Sequence, residues 1–187
     1  MGGDAPLIEF PWSGFVDLAA DPERVLELAE IADLAALGDA LVVINSAVSP
    51  VWTSKCDVWV PALDEVDVDE LDTDGPDTDE LGAGVGSVLH ALGCYVDLIP
   101  RNDKQWSTPE LIESDCRQWC GSLQGIPLGS CGVNFVIRRL VGESDALGLG
   151  ITAYLAACGR SPGEARTVME KELAAFAQVL CAESKLQ

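Results

Sequence analysis

Ten carboxylates lie within a stretch of seventeen residues of this chain, and they are its densest chemical feature. They are Asp64, Glu65, Asp67, Asp69, Glu70, Asp72, Asp74, Asp77, Asp79 and Glu80. So many like charges need counter-charge, which a basic protein surface, a cationic ligand or a divalent metal supplies. We therefore interpret these residues, called the acidic stretch below, as a candidate partner-binding segment.

A calcium loop is one alternative for the acidic stretch. Such a loop needs oxygen ligands at alternate positions, a glycine at its sharp turn and a bidentate glutamate at the twelfth position. Glu70, Asp72, Asp74 and Gly75 match the first half of this pattern, but Leu81 stands where the glutamate belongs. The sequence therefore does not predict a standard calcium loop, and a looser aspartate-rich turn stays open.

Thiols and a single imidazole form the second set of candidates. Cys116 and Cys120 are four residues apart on a predicted helix, a spacing that places both on one face, and Cys131 follows eleven residues later. His90 or Cys94 could complete a zinc or copper site with these thiols. Ile112, Cys116, Trp119 and Leu123 also describe an ordinary core-facing stripe, so we expect packing here rather than a metal. A nucleophilic Cys131 would need a base, and His90 is the one histidine. We predict no catalytic residues and no cofactor.

Charge and composition narrow the class of partner. The chain has 187 residues, a net charge of -20 and 48% hydrophobic residues, so it can bury a core but repels phosphate. Nucleic acid and anionic membrane surfaces are therefore not expected partners. There is no visible export signal, and the seven cysteines are an odd, scattered set, which predicts reduced thiols in the cytoplasm.

Local patterns predict the elements that must position these residues. Helices are expected at 21–38, 80–93, 108–123, 144–159 and 161–181, and strands at 40–48, 51–60, 94–100 and 131–141. The first two strands would form a β-hairpin. The fold class is then α/β (α+β mixed): a small mixed sheet of about four strands covered by helices, with a C-terminal antiparallel helix pair. We expect one domain over 1–187, with an acidic insertion at 62–80 and the helix pair, 144–182, packed on the sheet.

Two function classes follow from these patterns. The first is a non-enzymatic interaction or assembly protein that docks a basic protein surface, such as an immunity protein or inhibitor, a chaperone, or a subunit of a larger particle. The second is a small cysteine-dependent or metal-binding protein. We favour the first, and the sequence leaves a homo- or hetero-oligomer open.

Overall fold

The computed structural model describes residues 7–61, 90–102, 104–124, 126, 131–142 and 145–182, with the backbone alone at 131 and 145–147. Five strands run along the chain: β1 (Leu7–Glu9), β2 (Val51–Trp59), β3 (His90–Pro100), β4 (Cys131–Gly142) and β5 (Asp145–Gly159). The helices are α1 (Glu30–Asp33), α2 (Ala35–Ile44), α3 (Pro109–Gln124) and α4 (Pro162–Ala182), and a 3₁₀ turn spans Pro22–Glu27.

The five strands form one mixed sheet in the order β1-β4-β5-β3-β2. β1 pairs with β4 in parallel, and every other pair is antiparallel. The predicted class, a mixed sheet covered by helices, is therefore confirmed. The sheet has β5 at its centre, which the sequence analysis did not predict.

Helices α2, α3 and α4 pack on one face of the sheet and bury the main core. Along β5 the side chains of Ile151, Ala153 and Leu155 face this core, and each is at most 1% exposed. On α4 the fully buried Phe176 approaches Phe135 of β4, with 6.2 Å between ring centroids. Ser161 precedes this helix, and its hydroxyl accepts from the backbone N–H of Glu164, which is one half of the predicted capping box. The Glu164 carboxylate accepts from the N–H of Arg160 at 2.7 Å.

The C-terminal helix pair is the main error of the prediction. Residues 145–159 form β5, so α4 has no antiparallel helical partner from 144–159. The segment looks apolar on every side because both faces of a central strand contact other residues. Thr152 and Cys158, on the face opposite the core, are also buried. The expected alternation of polar and apolar residues is therefore hidden.

The predicted N-terminal hairpin is also wrong. Residues 35–44 form α2, in which Leu37, Leu41 and Ile44 recur at helical spacing and are at most 1% exposed. The helix predicted at 21–38 is instead a 3₁₀ turn, the short α1 and the start of α2. Gly38, predicted to end that helix, lies inside α2, where an added Cβ would come within 3.3 Å of Ile31. The strand β2 exists, but its partner is β3 rather than residues 40–48.

A buried asparagine joins α2 to the sheet. The side chain of Asn45, which follows the last residue of α2, donates to the Thr53 hydroxyl at 2.7 Å and accepts from the Thr53 N–H at 3.0 Å. It also donates to the Leu41 carbonyl at 2.8 Å. These bonds satisfy the polar groups of a buried side chain and fix the turn between α2 and β2.

Of the remaining predicted helices and strands, some are confirmed and others are corrected. The helix at 108–123 and the strands at 94–100 and 131–141 correspond to α3, β3 and β4. Residues 90–93 were predicted as the end of a helix, but they begin β3. The rest of that helix, 80–89, and the acidic insertion at 62–80 lie outside the described residues.

Candidate functional site

The acidic stretch, 64–80, lies outside the described residues, but its two attachment points are described. β2 ends at Trp59 and β3 begins at His90, and these strands are antiparallel neighbours in which Trp59 is the register partner of Gly93. The ten carboxylates therefore belong to the connection between the adjacent ends of two paired strands. Their role in binding a partner stays a prediction.

The described residues add a second acidic segment, which the sequence analysis missed. Between residues 17 and 39 there are seven acidic residues and one basic residue, Arg24. Two of the acids have local structural roles, since Asp17 accepts from the N–H groups of Ala19 and Ala20, and Asp21 caps the 3₁₀ turn. Arg24 pairs with Glu27 at 2.9 Å. The acidic character therefore extends over the surface of the first helices.

The metal and nucleophile candidates are divided between a helix and separate strands. His90 begins β3 and Cys131 begins β4, with β5 between them, and their register partners on β5 are Gly159 and Ala157. Two strand spacings and a two-residue offset put the two backbones about 12 Å apart. Among the side chains that the structure describes, no three His, Cys, Asp or Glu residues are grouped to hold a metal ion.

Cys116 and Cys120 do lie close together on α3, as the i, i+4 spacing predicted. Burial raises the pKa of the Cys116 thiol to about 12, and the neighbouring Cys120 contributes to this rise. Burial also raises the pKa of Cys120. A raised thiol pKa reduces the fraction of thiolate, which is the form that attacks electrophiles. The pair therefore has the environment of packed thiols, with Cys116 against the main core.

The sheet face opposite the helices carries a cluster of three aromatic rings. Trp59 of β2, Tyr95 of β3 and Tyr154 of β5 form this aromatic cluster, with ring centroids 6.0–6.5 Å apart. All three side chains are half-buried. Trp59 lies across Gly93, where an added Cβ would come within 2.5 Å of the indole. The glycine is therefore required for this close approach.

A bulge in β2 brings Trp59 to this face. The register of β2 against β3 shifts between Thr53 and Cys56. Strict alternation along a strand would place Trp52 and Trp59 on opposite faces, because they are seven residues apart. Their partners Ile99 and Gly93 are an even number of residues apart on β3. Both tryptophans consequently share one face, because a bulge adds a residue to one strand and changes its alternation.

A polar network lies beside the aromatic cluster. Arg138 of β4 donates from Nη2 to the Tyr154 hydroxyl at 3.1 Å and from Nε to the Thr152 hydroxyl at 3.4 Å. Thr152 in turn donates to Asp97 at 2.7 Å. Asp97 and Thr152 are register partners, as are Tyr95 and Tyr154 two residues further along the same strands. The network and the cluster therefore occupy neighbouring rows of one sheet face.

Burial alters the acidity of two groups in these rows. It raises the pKa of Asp97, although the Thr152 hydrogen bond and the charges of Lys55 and Arg138 act in the opposite direction. It also raises the pKa of Tyr95, with the Asp97 carboxylate as the next largest cause. The Tyr95 phenol therefore stays protonated at neutral pH and remains a hydrogen-bond donor.

One end of this face is closed by the edges of the sheet. A flat five-stranded sheet would separate β1 from β2 by about 19 Å, yet the Ser54 hydroxyl of β2 donates to the Glu9 carbonyl of β1 at 3.3 Å. The curled end is filled by Ile8, Ile99 and Leu140. The face is therefore concave, with an apolar floor, then the polar network, then the aromatic cluster.

Comparisons with known proteins found no match: the chain matches no protein-family model, no curated protein and no solved structure. In the part of the chain that the structure describes, no helix has the length and apolar character needed to cross a bilayer.

Sequence reasoning missed the concave face because its residues come from five strands, one of which was predicted as a helix. A weak signal was present in Tyr154 and Thr152, since both are hydrogen-bonding side chains inside an otherwise apolar segment. A buried polar residue needs a hydrogen-bond partner, and this requirement was the available clue to a polar network on the second face of the sheet.

Proposed function

We propose that this protein is a non-enzymatic interaction or assembly protein that docks a basic surface of a partner protein, in the manner of an inhibitor or immunity protein, a chaperone or a particle subunit. The observation that carries the proposal is the concentration of ten carboxylates in the connection between the paired ends of β2 and β3. The acidic surface of residues 17–39 supports it, because it extends the same charge over the described molecule. Fields of this kind accelerate association with oppositely charged partners.

The cytoplasmic location belongs to the same proposal. The six cysteines whose side chains are described are free thiols, and Cys56, Cys94 and Cys158 are buried. Buried thiols of this kind suit a reducing compartment. The partner class is a basic protein, with nucleic acid and membranes excluded from the proposal by the net charge of -20.

The test compares two variants of equal charge. In one, Asp72, Asp74, Asp77 and Asp79 become Asn, and in the control, four acids of the 17–39 surface (Asp21, Glu23, Glu27 and Asp33) become Asn or Gln. Each changes the net charge from -20 to -16, since four negative charges are removed. Partners captured from the native host by the parent protein are purified, and association rates are then measured with all three proteins.

We expect the acidic-stretch variant to associate about tenfold or more slowly, and the control to be affected less. The parent rate should fall between about 0.1 M and 1 M salt, where the Debye length shrinks from about 10 Å to about 3 Å. An association rate that neither salt nor the first variant changes would refute the proposal. One equivalent of zinc, copper or calcium in the purified protein would instead favour the metal-binding alternative.

A further inference from the structure

We propose that the concave face of the sheet is a binding site for a small planar carboxylate, in which Arg138 binds the carboxylate and the aromatic cluster contacts the planar body of the ligand. The residues of this site belong to the strands and not to the acidic stretch, and the proposal does not depend on the proposed docking function.

Arg138 is held in one orientation by the network on its own sheet face. Its Nε and Nη2 groups, which form the lateral edge of the guanidinium, donate to Thr152 and Tyr154. Thr152 is itself fixed by donating to Asp97. The planar guanidinium is therefore positioned before any ligand arrives, which reduces the ordering cost of binding.

The other edge of the guanidinium, formed by Nη1 and Nη2, has no protein partner among the described residues. Ion pairs within those residues join Arg24 to Glu27 and Arg117 to Glu113, and neither includes Arg138. A guanidinium carries five N–H donors, of which this network uses two. The remaining terminal edge has the fork geometry that binds a carboxylate through two parallel hydrogen bonds.

The surroundings of Arg138 select a planar apolar body for the ligand. Tyr154 belongs to both the polar network and the aromatic cluster, because its hydroxyl accepts from Arg138 and its ring packs with Tyr95 and Trp59. A carboxylate on Arg138 therefore brings the group attached to it beside the Tyr154 ring. Aromatic side chains favour stacked or edge-to-face contact with planar rings. A concave site with apolar walls and a few fixed polar groups is typical of small-molecule binding.

The experiment uses benzoate as the probe, with benzyl alcohol as its uncharged counterpart and acetate as the carboxylate without a ring. Binding to the full chain is measured by calorimetry and by saturation-transfer NMR. The decisive variant is Arg138→Gln. Arg139→Gln is the matched control, because Arg139 is the next residue of β4, is exposed, and loses the same charge. Tyr154→Phe keeps the ring and removes the hydroxyl that accepts from Arg138.

We expect saturable benzoate binding to the parent, at least about tenfold weaker binding of both acetate and benzyl alcohol, and a loss of about ten- to a hundredfold in Arg138→Gln. Arg139→Gln should bind like the parent, and Tyr154→Phe should weaken benzoate. If Arg138→Gln does not fold, the ligand series and Tyr154→Phe decide the matter. No saturable binding of benzoate to the parent, equal binding of benzyl alcohol, or equal losses in the two arginine variants would overturn the proposal.

Discussion

Glu172 is a buried carboxyl group that should make the protein less stable as the pH rises. Glu172 of α4 is 0% exposed, and neither of its side-chain oxygens has a hydrogen-bond partner among the described residues. The helix turns this residue toward the sheet, where its charge would act on the Cys94 thiol. Burial raises the pKa of Glu172 well above its ordinary value of 4.5, because the charged form is poorly solvated there.

The direction of the pH effect follows from proton binding in the two states. Below pH 4.5 Glu172 is protonated in both the folded and the unfolded chain, and its contribution to stability is fully present. As the pH rises, the unfolded chain ionises first while the folded state keeps its proton, so the free energy of unfolding falls. The loss approaches about 1.4 kcal/mol per pH unit for one group and stops above the folded pKa.

Two substitutions of Glu172 distinguish the effect of its negative charge on stability from the effect of its polar atoms. Glu172→Gln is nearly isosteric and cannot ionise, so it should remove this share of the pH dependence. Glu172→Met removes the polar atoms too, and since an unsatisfied buried polar group costs about 1–3 kcal/mol, it should raise stability at neutral pH by a similar amount. In a chain of this size, each kcal/mol of added stability should raise Tm by about 2–4 °C.

The assay is denaturant unfolding at several pH values from the ordinary glutamate pKa of 4.5 upward, where the unfolded chain ionises before the folded state does. Glu170→Gln, an exposed position on the same helix, is the control and should keep the parent pH profile. Asp97 also has a raised pKa, so the informative quantity is the difference between parent and variant. Equal pH dependence in the parent and in Glu172→Gln would show that Glu172 titrates normally and that the reasoning is wrong.

Two further predictions concern the core and the thiols. Phe176→Ala should lower the free energy of unfolding by about 3–5 kcal/mol, because it empties a fully buried site beside Phe135. Thermal unfolding measures this loss, with the exposed substitution Gln178→Ala as the control. If Phe176→Ala keeps the parental Tm but loses partner binding, α4 is an interface instead. Labelling of the native protein at neutral pH should spare Cys56, whose pKa burial raises to about 12, and Cys94, whose pKa burial also raises. All seven thiols should react in denaturant without reductant, and finding fewer would reveal disulfides and contradict the reducing compartment.

Elements with strong local signals were predictable from the sequence. α4 has an N-terminal cap, in which the Ser161 hydroxyl accepts from the Glu164 N–H, and a continuous apolar face, and both features depend on residues close together in the sequence. α2 was missed because its β-branched residues Val42, Val43 and Ile44 resemble a strand. The structure shows that Val42 and Val43 are exposed while Ile44 is buried, which is a helical pattern. Packing against α4 and the sheet decides the conformation here, over a weak local preference.

The concave face depends on interactions that no local signal encodes. Arg138, Thr152 and Asp97 meet because β4, β5 and β3 are adjacent and in a definite register. One residue of slippage would turn Thr152 toward the helices and break both of its hydrogen bonds, since the side-chain period of a strand is two. Because residues 144–159 were predicted as a helix, the sequence analysis could not place Thr152 beside Arg138 and Asp97. The types and numbers of these residues were nevertheless known from the sequence. Conversely, the hydrogen bonds from Thr152 to Asp97, which is buried, and from Arg138 to Thr152 help to fix that register, because any slipped pairing leaves a buried carboxylate without its donor.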